Sequence, residues 1–136
     1  MKIMLRGRGV VKGFGEGEAL VTRQGISFTG GVDIESGIIV EKNHELEGKS
    51  IVNKVLVFPA GKGSVGASSE LYHASKAGTA PRAIINKQLD PPLVFGAILV
   101  KLPLMCDLNK DPIETIRTGD YVKVDATRGI VEITRK

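Results

Sequence analysis

The strongest hydrophobic pattern lies in the middle of the chain. Residues 51–58 are almost continuously apolar, which is typical of a strand that is buried on both faces of a sheet. Residues 67–77 have helical spacing and are followed by Gly78, the residue type that most often ends a helix. A second apolar run at 82–86 indicates another buried strand. The pattern therefore predicts a central β-α-β unit.

The two ends of the chain have a different pattern. Toward the amino terminus, short apolar runs alternate with glycines and predict strands at 2–7, 17–22 and 37–40. Toward the carboxyl terminus, polar and apolar residues alternate and predict a hairpin of strands at 121–125 and 130–134. We therefore expect an α/β fold in which a mixed sheet or short barrel surrounds the β-α-β unit.

The remaining segments are less regular. Residues 95–100 are apolar and predict a third buried strand. Residues 111–118 begin with Asp-Pro and have helical spacing, which predicts a short helix capped by Asp111. Six glycines are expected to form turns between or beside the amino-terminal strands: Gly13, Gly15, Gly17, Gly25, Gly30 and Gly31.

Composition narrows the class of protein. With 136 residues, of which 42% are apolar and 25% charged, the chain can form one core, and we expect a single domain over residues 1–136. Its longest apolar run, at 91–100, is far shorter than the roughly 20 residues of a membrane helix. The amino terminus becomes charged before a signal-peptide core could form. These features predict a cytoplasmic protein with no membrane partner.

Charge and potential metal ligands exclude two further classes of function. The net charge of +4 is spread along the chain, and only six aromatic residues are available to stack on bases, so we expect no nucleic-acid partner. An anionic substrate or an acidic partner surface accounts for the charge equally well. Cys106 is the only cysteine, and His44 and His73 are far apart in sequence. We therefore expect no metal site within this chain.

The candidate chemistry lies in a glycine-rich loop, residues 61–66, between the first buried strand and the helix. Backbone N–H groups and a helix N-terminus at one point form a ready anion site. A hydroxyl there, such as that of Ser64, is favoured as a base or nucleophile. The glycine spacing resembles a dinucleotide fingerprint, but Asn86 follows the next strand where an acid is expected. The structural alternative is a turn in which Ser64 or Ser68 merely caps the helix.

Four blocks of sequence together resemble one known family, the aconitase X swivel domain. They are Gly30–Asp33, His44–Ser50, Val55–Ser64 and Gly78–Ile85. Their order and spacing extend over nearly the whole chain, and the Phe-Pro-x-Gly-Lys-Gly-Ser string in the third block is the most specific. Within the family, a separate chain of this length resembles the small subunits of the archaeal enzymes that dehydrate phosphomevalonate.

The resemblance implies a swivel-type β/α fold and a hydro-lyase. The family reaction removes water from (R)-5-phosphomevalonate to give trans-anhydromevalonate 5-phosphate, in a mevalonate route to isoprenoids. By position, the family's general base is Ser64, although Val65 stands where many members have a second Ser or Thr. From the chemistry of the loop, the substrate is expected to contact its backbone amides. The charge of Lys62 makes it a candidate partner for the phosphate or carboxylate, the alternative being a surface lysine. The expected contacts come from Gly61, Lys62, Gly63, Val65 and Gly66.

The resemblance also implies a cofactor and a partner. An iron–sulfur cluster, expected to be 4Fe-4S, would be bound by a larger catalytic subunit in a heterodimer or higher assembly. Dehydration needs a base at one carbon and a Lewis acid for the leaving hydroxyl, and a cluster iron can supply the latter. The single cysteine of this chain agrees with a cluster held elsewhere. We therefore expect the chain to be inactive alone.

Three other interpretations remain open. Related family members dehydrate hydroxyprolines, commonly with the swivel domain fused to the large one. The stretch from His73 to Gly78-Thr-Ala-Pro is faintly similar to phosphohistidine swivelling domains, although the Gly-Gly pair expected before the histidine is absent. The third is a binding or assembly module without catalysis.

Overall fold

The computed structural model describes all 136 residues and contains an eight-stranded mixed sheet, a two-stranded ribbon and three helices. The strand order in the large sheet is β1-β10-β9-β3-β6-β7-β8-β2, and β4 pairs with β5 in the ribbon. The elements are β1 (Lys2–Arg6), β2 (Arg8–Val11), β3 (Phe14–Val21), β4 (Val32–Asp33), β5 (Ile38–Ile39), β6 (Val55–Phe58), α1 (Ala67–Ala77), β7 (Ala83–Asn86), α2 (Pro91–Val100), β8 (Leu104–Cys106), α3 (Pro112–Thr115), β9 (Tyr121–Asp125) and β10 (Ile130–Thr134).

The large sheet closes on itself through its first two strands. β1 and β2 form one extended segment that is interrupted only at Gly7, yet they lie at opposite ends of the strand order. β1 pairs antiparallel with β10, and β2 pairs antiparallel with β8. The segment therefore joins the two edges, and the sheet curls into a short barrel. Of the two expected forms, a mixed sheet or a short barrel, the closed form is the one found.

The middle of the sheet is the predicted β-α-β unit. β3, β6, β7 and β8 are parallel neighbours, and α1 connects β6 to β7. Side chains on β6 alternate between two cores: Val55 and Val57 enter one, and Leu56 and Phe58 enter the other. All four are fully buried, which confirms burial on both faces. Residues 51–54, which the pattern assigned to this strand, precede it.

The two cores form two layers on either side of the parallel strands. The first core lies between these strands and a cover made of α1, α2 and the segment from Ile26 to Ile51. The second core fills the barrel and includes the inward side chains of the terminal hairpin, such as Val122 and Val131. The parallel strands are therefore buried between the helices and the barrel interior, and their carboxyl ends open toward the loops.

Several local predictions are confirmed. α1 begins at Ala67 and ends at Ala77, and Gly78 adopts a φ of 77° as its C-cap. The terminal hairpin has the predicted strands. Asp111 caps α3 by accepting a hydrogen bond from the Ile113 N–H at 2.9 Å, although the helix is shorter than the predicted 111–118 segment.

The strand predicted at 95–100 is wrong, because these residues belong to α2. The helix is apolar on every side, so its sequence has no helical periodicity to distinguish it from a buried strand. Gly15 also differs from expectation, since it lies inside β3 rather than in a turn, whereas Gly17 lies within the strand predicted at 17–22. No helix has both the length and the apolar character that crossing a membrane requires.

Candidate functional site

The glycine-rich loop lies at the carboxyl edge of the parallel strands. It follows β6 directly, and Gly61 forms a parallel bridge with Ile26 from the segment after β3. In α/β sheets, ligands bind in the crevice outside the carboxyl ends of the strands. We name residues Gly61–Gly66 the glycine loop. Its position in the fold is therefore one at which ligands bind in open α/β sheets.

Ser64 is fixed at the beginning of α1 by two hydrogen bonds of its side chain. Its Oγ lies 3.0 Å from Oγ1 of Thr29 and accepts the Gly66 N–H at 3.2 Å. Its carbonyl oxygen also accepts the Ala67 N–H at 3.1 Å. The N-cap of α1 is Gly66, which has no side chain to form a capping bond. The bond from the Gly66 N–H to the Ser64 Oγ is of the kind that the structural alternative of a capping serine predicts.

The backbone of the glycine loop has unused hydrogen-bond donors. The N–H groups of Gly63, Ser64 and Val65 donate to no acceptor in the protein. Gly63 has a φ of 72°, a left-handed conformation that favours glycine, and the Val65 side chain is 88% exposed. Because the N-terminus of α1 begins at the same point, the loop presents a positive field and several N–H groups to an anion.

Lys62 forms an ion pair with an acidic partner. Its Nζ lies 2.7 Å from Oε2 of Glu41, and both side chains are partly exposed. An exposed pair of this kind contributes little to stability. The ammonium is therefore available to an incoming anion if that anion shares it with Glu41 or displaces the carboxylate.

Two glycines of the loop make close approaches that a side chain would prevent. A Cβ on Gly61 would overlap the carboxylate of Asp90, and a Cβ on Gly66 would lie 2.7 Å from Oγ1 of Thr29. Asp90 is only 7% exposed and its Oδ2 has no hydrogen-bond partner. It stands at the N-cap of α2 without making a capping bond. Ser64, Lys62 and this carboxylate line one narrow cleft.

Sequence reasoning missed three members of this cluster: Thr29, Glu41 and Asp90. Thr29 and Glu41 come from the irregular segment between β3 and β6, where no periodicity marks a functional position. The sequence around Asp90 did contain an indication of its position. Asp-Pro-Pro at the start of an apolar run is typical of an N-cap followed by the first turn of a helix.

The other residues singled out from the sequence lie elsewhere. His73 is exposed on α1, where its ring contacts that of Tyr72 edge-on at 5.8 Å, outside the cleft. His44 is buried and holds a loop, with Nε2 2.9 Å from the Gly25 carbonyl oxygen and Nδ1 accepting the Leu46 N–H. His44 therefore has a structural role, and His73 lies on the surface outside the cleft.

Asp33 and Cys106 are also accounted for by structure. The Asp33 carboxylate accepts the hydroxyl of Ser36 at 2.7 Å within a turn. Cys106 is buried at the end of β8, and burial raises the pKa of its thiol. No three side chains of His, Cys, Asp or Glu lie together as a metal site would require. The residues of this chain therefore do not fit an iron–sulfur cluster.

Comparison with known proteins gives a consistent result. A family model described as the aconitase X swivel domain matches residues 4–133. The chain is 47% identical over 133 residues to the phosphomevalonate dehydratase small subunit of Methanosarcina acetivorans, covering 98% of this chain and 92% of the relative. It is 43% identical over 129 residues to that of Pyrococcus furiosus, covering 95% and 94%. The crystal structure of Thermococcus kodakaraensis aconitase X in its holo-form superposes with a TM-score of 0.91 at 40% identity, covering 98% and 99%.

Proposed function

Because this chain belongs to the aconitase X swivel-domain family, we propose that it is the small subunit of a hydro-lyase acting on (R)-5-phosphomevalonate. The product would be trans-anhydromevalonate 5-phosphate. Support comes from relatives named as small subunits of phosphomevalonate dehydratase, which this chain matches over 92% and 94% of their lengths. The name "small subunit" implies a larger partner.

Ser64 is the proposed general base, and the hydrogen bonding of its Oγ is the observation that carries the proposal. A serine hydroxyl is normally far too weak an acid to lose its proton, so the site must stabilise the alkoxide. The Gly66 N–H already donates to this oxygen at 3.2 Å, and α1 begins beside it. Preorganised N–H donors and a helix N-terminus both favour a negative oxygen. These are the features a serine base requires.

Thr29 is the proposed positioning residue for this base. Its Oγ1 lies 3.0 Å from the Ser64 Oγ. While Ser64 is neutral, Thr29 can accept a hydrogen bond from its hydroxyl, and once the alkoxide forms, the threonine hydroxyl can turn and donate a hydrogen bond to it. The glycine at position 66 is what allows Thr29 to come this close. The serine oxygen would thus keep two partners in both states.

The glycine loop is the proposed contact surface for the substrate. The unused N–H groups of Gly63 and Val65 suit a phosphate or carboxylate oxygen. Lys62 would add a charge by sharing its ammonium between Glu41 and the substrate. Gly61 and Gly66 would contribute through their backbone, and their lack of a side chain lets Asp90 and Thr29 lie against the loop.

The iron–sulfur cluster is assigned in this proposal to the large subunit, since no set of side chains in this chain could hold one. The chain is then expected to have no dehydratase activity by itself. We propose a heterodimer or a higher assembly of the two subunits. This chain would supply the base, the residue that positions it and the contacts of the glycine loop with the substrate.

An anaerobic assay of the assembled enzyme tests the proposal. This chain would be co-expressed with the cluster-bearing large subunit, and turnover of (R)-5-phosphomevalonate would be compared between wild type and Ser64→Ala. We expect turnover in wild type and a loss of about a thousandfold in the variant, since a general base contributes roughly 10²–10⁴. Ser69→Ala, an exposed serine on the same helix, is the matched control and should keep full activity.

The outcomes separate the parts of the proposal. Equal turnover in wild type and Ser64→Ala would move the base elsewhere, and Ser68→Ala would be measured next. Turnover by the isolated 136-residue chain would contradict the assignment of the cluster to the partner. No turnover by a complex with an intact cluster would contradict phosphomevalonate as the substrate, and hydroxyprolines would be assayed in its place.

A further inference from the structure

Asp90 is a buried acid in the same cleft as Ser64, and none of the roles proposed above uses it. The residue is only 7% exposed. Neither of its carboxylate oxygens accepts a hydrogen bond from this chain, and Oδ2 is closed off from solvent. Burial of a carboxylate without a hydrogen-bond donor costs free energy, so such groups are normally paired. A donor from outside the chain would remove this cost.

The local sequence explains why this carboxylate has no donor. Asp90 and Asp111 each stand at the N-cap of a helix, and each is followed by a proline. The Asp111 carboxylate accepts the N–H of the second helical residue, Ile113, at 2.9 Å. The second helical residue after Asp90 is Pro92, which has no N–H. The Asp-Pro-Pro sequence therefore removes a donor that a capping aspartate ordinarily uses and leaves the carboxylate free.

The free carboxylate lies against the glycine loop. A Cβ on Gly61 would overlap its Oδ2, so this oxygen faces the loop backbone and Oδ1 is the oxygen that is left for a ligand. The cleft also has apolar walls, formed by Ile26, Phe28 and Leu93. Apolar surroundings strengthen a hydrogen bond to a charged acceptor. A donor that reaches Asp90 would therefore be held firmly.

The polar groups around the glycine loop and those of the proposed substrate are complementary. The unused N–H groups of the loop can only donate, and an ionised Asp90 carboxylate can only accept. The other carboxylate nearby, that of Glu41, is already paired with Lys62 at 2.7 Å. On the substrate, the carboxylate and the phosphate are anions that suit the donors. Its one hydroxyl can donate, and it is the substrate group that fits beside a negative charge.

We propose that Asp90 accepts a hydrogen bond from the hydroxyl of the substrate and thereby determines which carbon of the substrate faces Ser64. This inference rests on the proposed function, because the hydroxyl belongs to the proposed substrate. Dehydration removes a proton from the carbon next to the one that bears the hydroxyl, so the base and the group that holds the hydroxyl must lie close together. Ser64 and Asp90 meet this condition, since they line one narrow cleft.

The dehydrated product is a suitable probe of this contact, because it keeps the carboxylate and the phosphate but lacks the hydroxyl. The two-subunit complex with Ser64→Ala, which should not consume the substrate, would be titrated by calorimetry with (R)-5-phosphomevalonate and with trans-anhydromevalonate 5-phosphate. Adding Asp90→Ala should raise the Kd of the substrate by about tenfold to a hundredfold, since a hydrogen bond to a charged group is lost. The Kd of the product should rise by no more than about twofold, since the product makes no such bond.

Two further variants keep the test independent of folding. Asp90→Asn preserves the size of the side chain and one acceptor oxygen, so it should raise the Kd of the substrate by a smaller factor, about threefold to tenfold. It carries the test if Asp90→Ala is unfolded. The matched control is Asp111→Ala, the other aspartate at a helix start before a proline. It should lower the Tm, because a capping bond is lost, and leave both Kd values unchanged.

Each outcome supports or overturns the inference. A loss of affinity for the substrate alone supports it. An equal loss for substrate and product overturns it, because Asp90 would then act by shaping the glycine loop or by holding Lys62. Unchanged Kd values in both Asp90 variants also overturn it. A Ser64→Ala complex that binds neither ligand contradicts the proposed substrate itself, and the inference fails with it. If that complex still consumes the substrate, KM and the product inhibition constant replace the two Kd values.

Discussion

Two groups of polar residues lie at the same edge of the sheet, yet their hydrogen-bonding capacity is used differently. The glycine loop follows β6, and a second cleft, the Asn86 cleft, follows β7 and β8 and is lined by Asn86, Lys87, Asp107 and Asp111. Each contains a buried polar atom without a partner, Oδ2 of Asp90 in the first and Oδ1 of Asn86 in the second.

The difference lies in the Ser64 hydroxyl and the helix beside it, because both clusters contain ion pairs. In the Asn86 cleft, Lys87 pairs with Asp111 at 3.0 Å, and Arg8 pairs with Asp107 at 3.0 Å. Lys62 of the glycine loop is likewise paired, with Glu41 at 2.7 Å. Only the glycine loop places three consecutive unused N–H groups next to a serine hydroxyl at the start of an eleven-residue helix. Position at the sheet edge is therefore shared by the two clusters, and the hydroxyl with its helix distinguishes the glycine loop.

Among the variants that test this comparison, the largest effect is expected at Thr29. Thr29→Val removes the hydroxyl that lies 3.0 Å from the Ser64 Oγ while keeping the shape of the side chain. We expect kcat of the assembled enzyme to fall about a hundredfold, as when one donor to an oxyanion is lost. Thr29 is exposed, so stability should hardly change. Steady-state kinetics and thermal unfolding measure the two effects.

Thr29→Ser provides the matched control, because it restores the hydroxyl. If Thr29→Ser is as slow as Thr29→Val, the methyl group matters and the hydroxyl does not. Full activity in Thr29→Val would mean that Ser64 needs no partner from this side, and the contrast between the two clusters would be weaker.

An intermediate effect, on stability alone, is expected at Asn86. Its Nδ2 donates to the Phe58 carbonyl oxygen at 3.0 Å, and the side chain is fully buried. Asn86→Leu loses this bond, and we expect the free energy of unfolding to fall by about 1–2 kcal/mol. Turnover per assembled complex should stay within about twofold of wild type.

Denaturant unfolding and the same kinetic assay measure these two quantities, with Gln88→Leu as an exposed neighbouring control. A loss of activity without a loss of stability would place the Asn86 cleft inside the functional site and break the comparison.

The smallest effect is expected at Lys87. Its ammonium lowers the pKa of the Asp111 carboxyl below the ordinary value. The ion pair therefore contributes stability above the ordinary pKa of an aspartate, and that contribution is lost as the pH falls through the lowered pKa. Both side chains are well exposed, so Lys87→Met should cost less than about 1 kcal/mol at pH 7.

Urea unfolding of wild type and Lys87→Met across the acid range checks the direction of this effect. The difference in free energy of unfolding should shrink toward zero as Asp111 becomes protonated. A difference that grows toward low pH would contradict the assignment of the shift to Lys87.

Structural features that depend on contacts between residues close in sequence could be predicted, and features that depend on distant contacts could not. The bounds of α1 and its C-cap followed from spacing and one glycine, because a helix end is decided within a few residues. The glycine loop was found for the same reason, since strand, glycines and helix are consecutive. α2 was misassigned because one of its sides packs on α1 and the other is exposed and apolar, which removes the polar positions that would show a helical period.

The neighbours of Ser64 show which part of the candidate site could not be predicted from the sequence. Thr29 is 35 residues away in sequence and meets the serine only because β3 and β6 are parallel neighbours. Asp90 reaches Gly61 through the pairing of β6 with β7. The family resemblance indicated the serine, but these neighbours depend on strand order, which no pattern of residues along the chain specified.

The closure of the barrel by its first strands has a consequence for folding. β1 can pair only with β10, which carries residues 130–134, and β2 can pair only with β8. Contacts between residues so far apart in sequence form slowly. During synthesis, the segment from Lys2 to Val11 leaves the ribosome before its partner strands and must wait, with Leu5 and Val11 uncovered, until β8 and β10 have followed. The two strands that are made before the other eight are thus among the last to reach their native places.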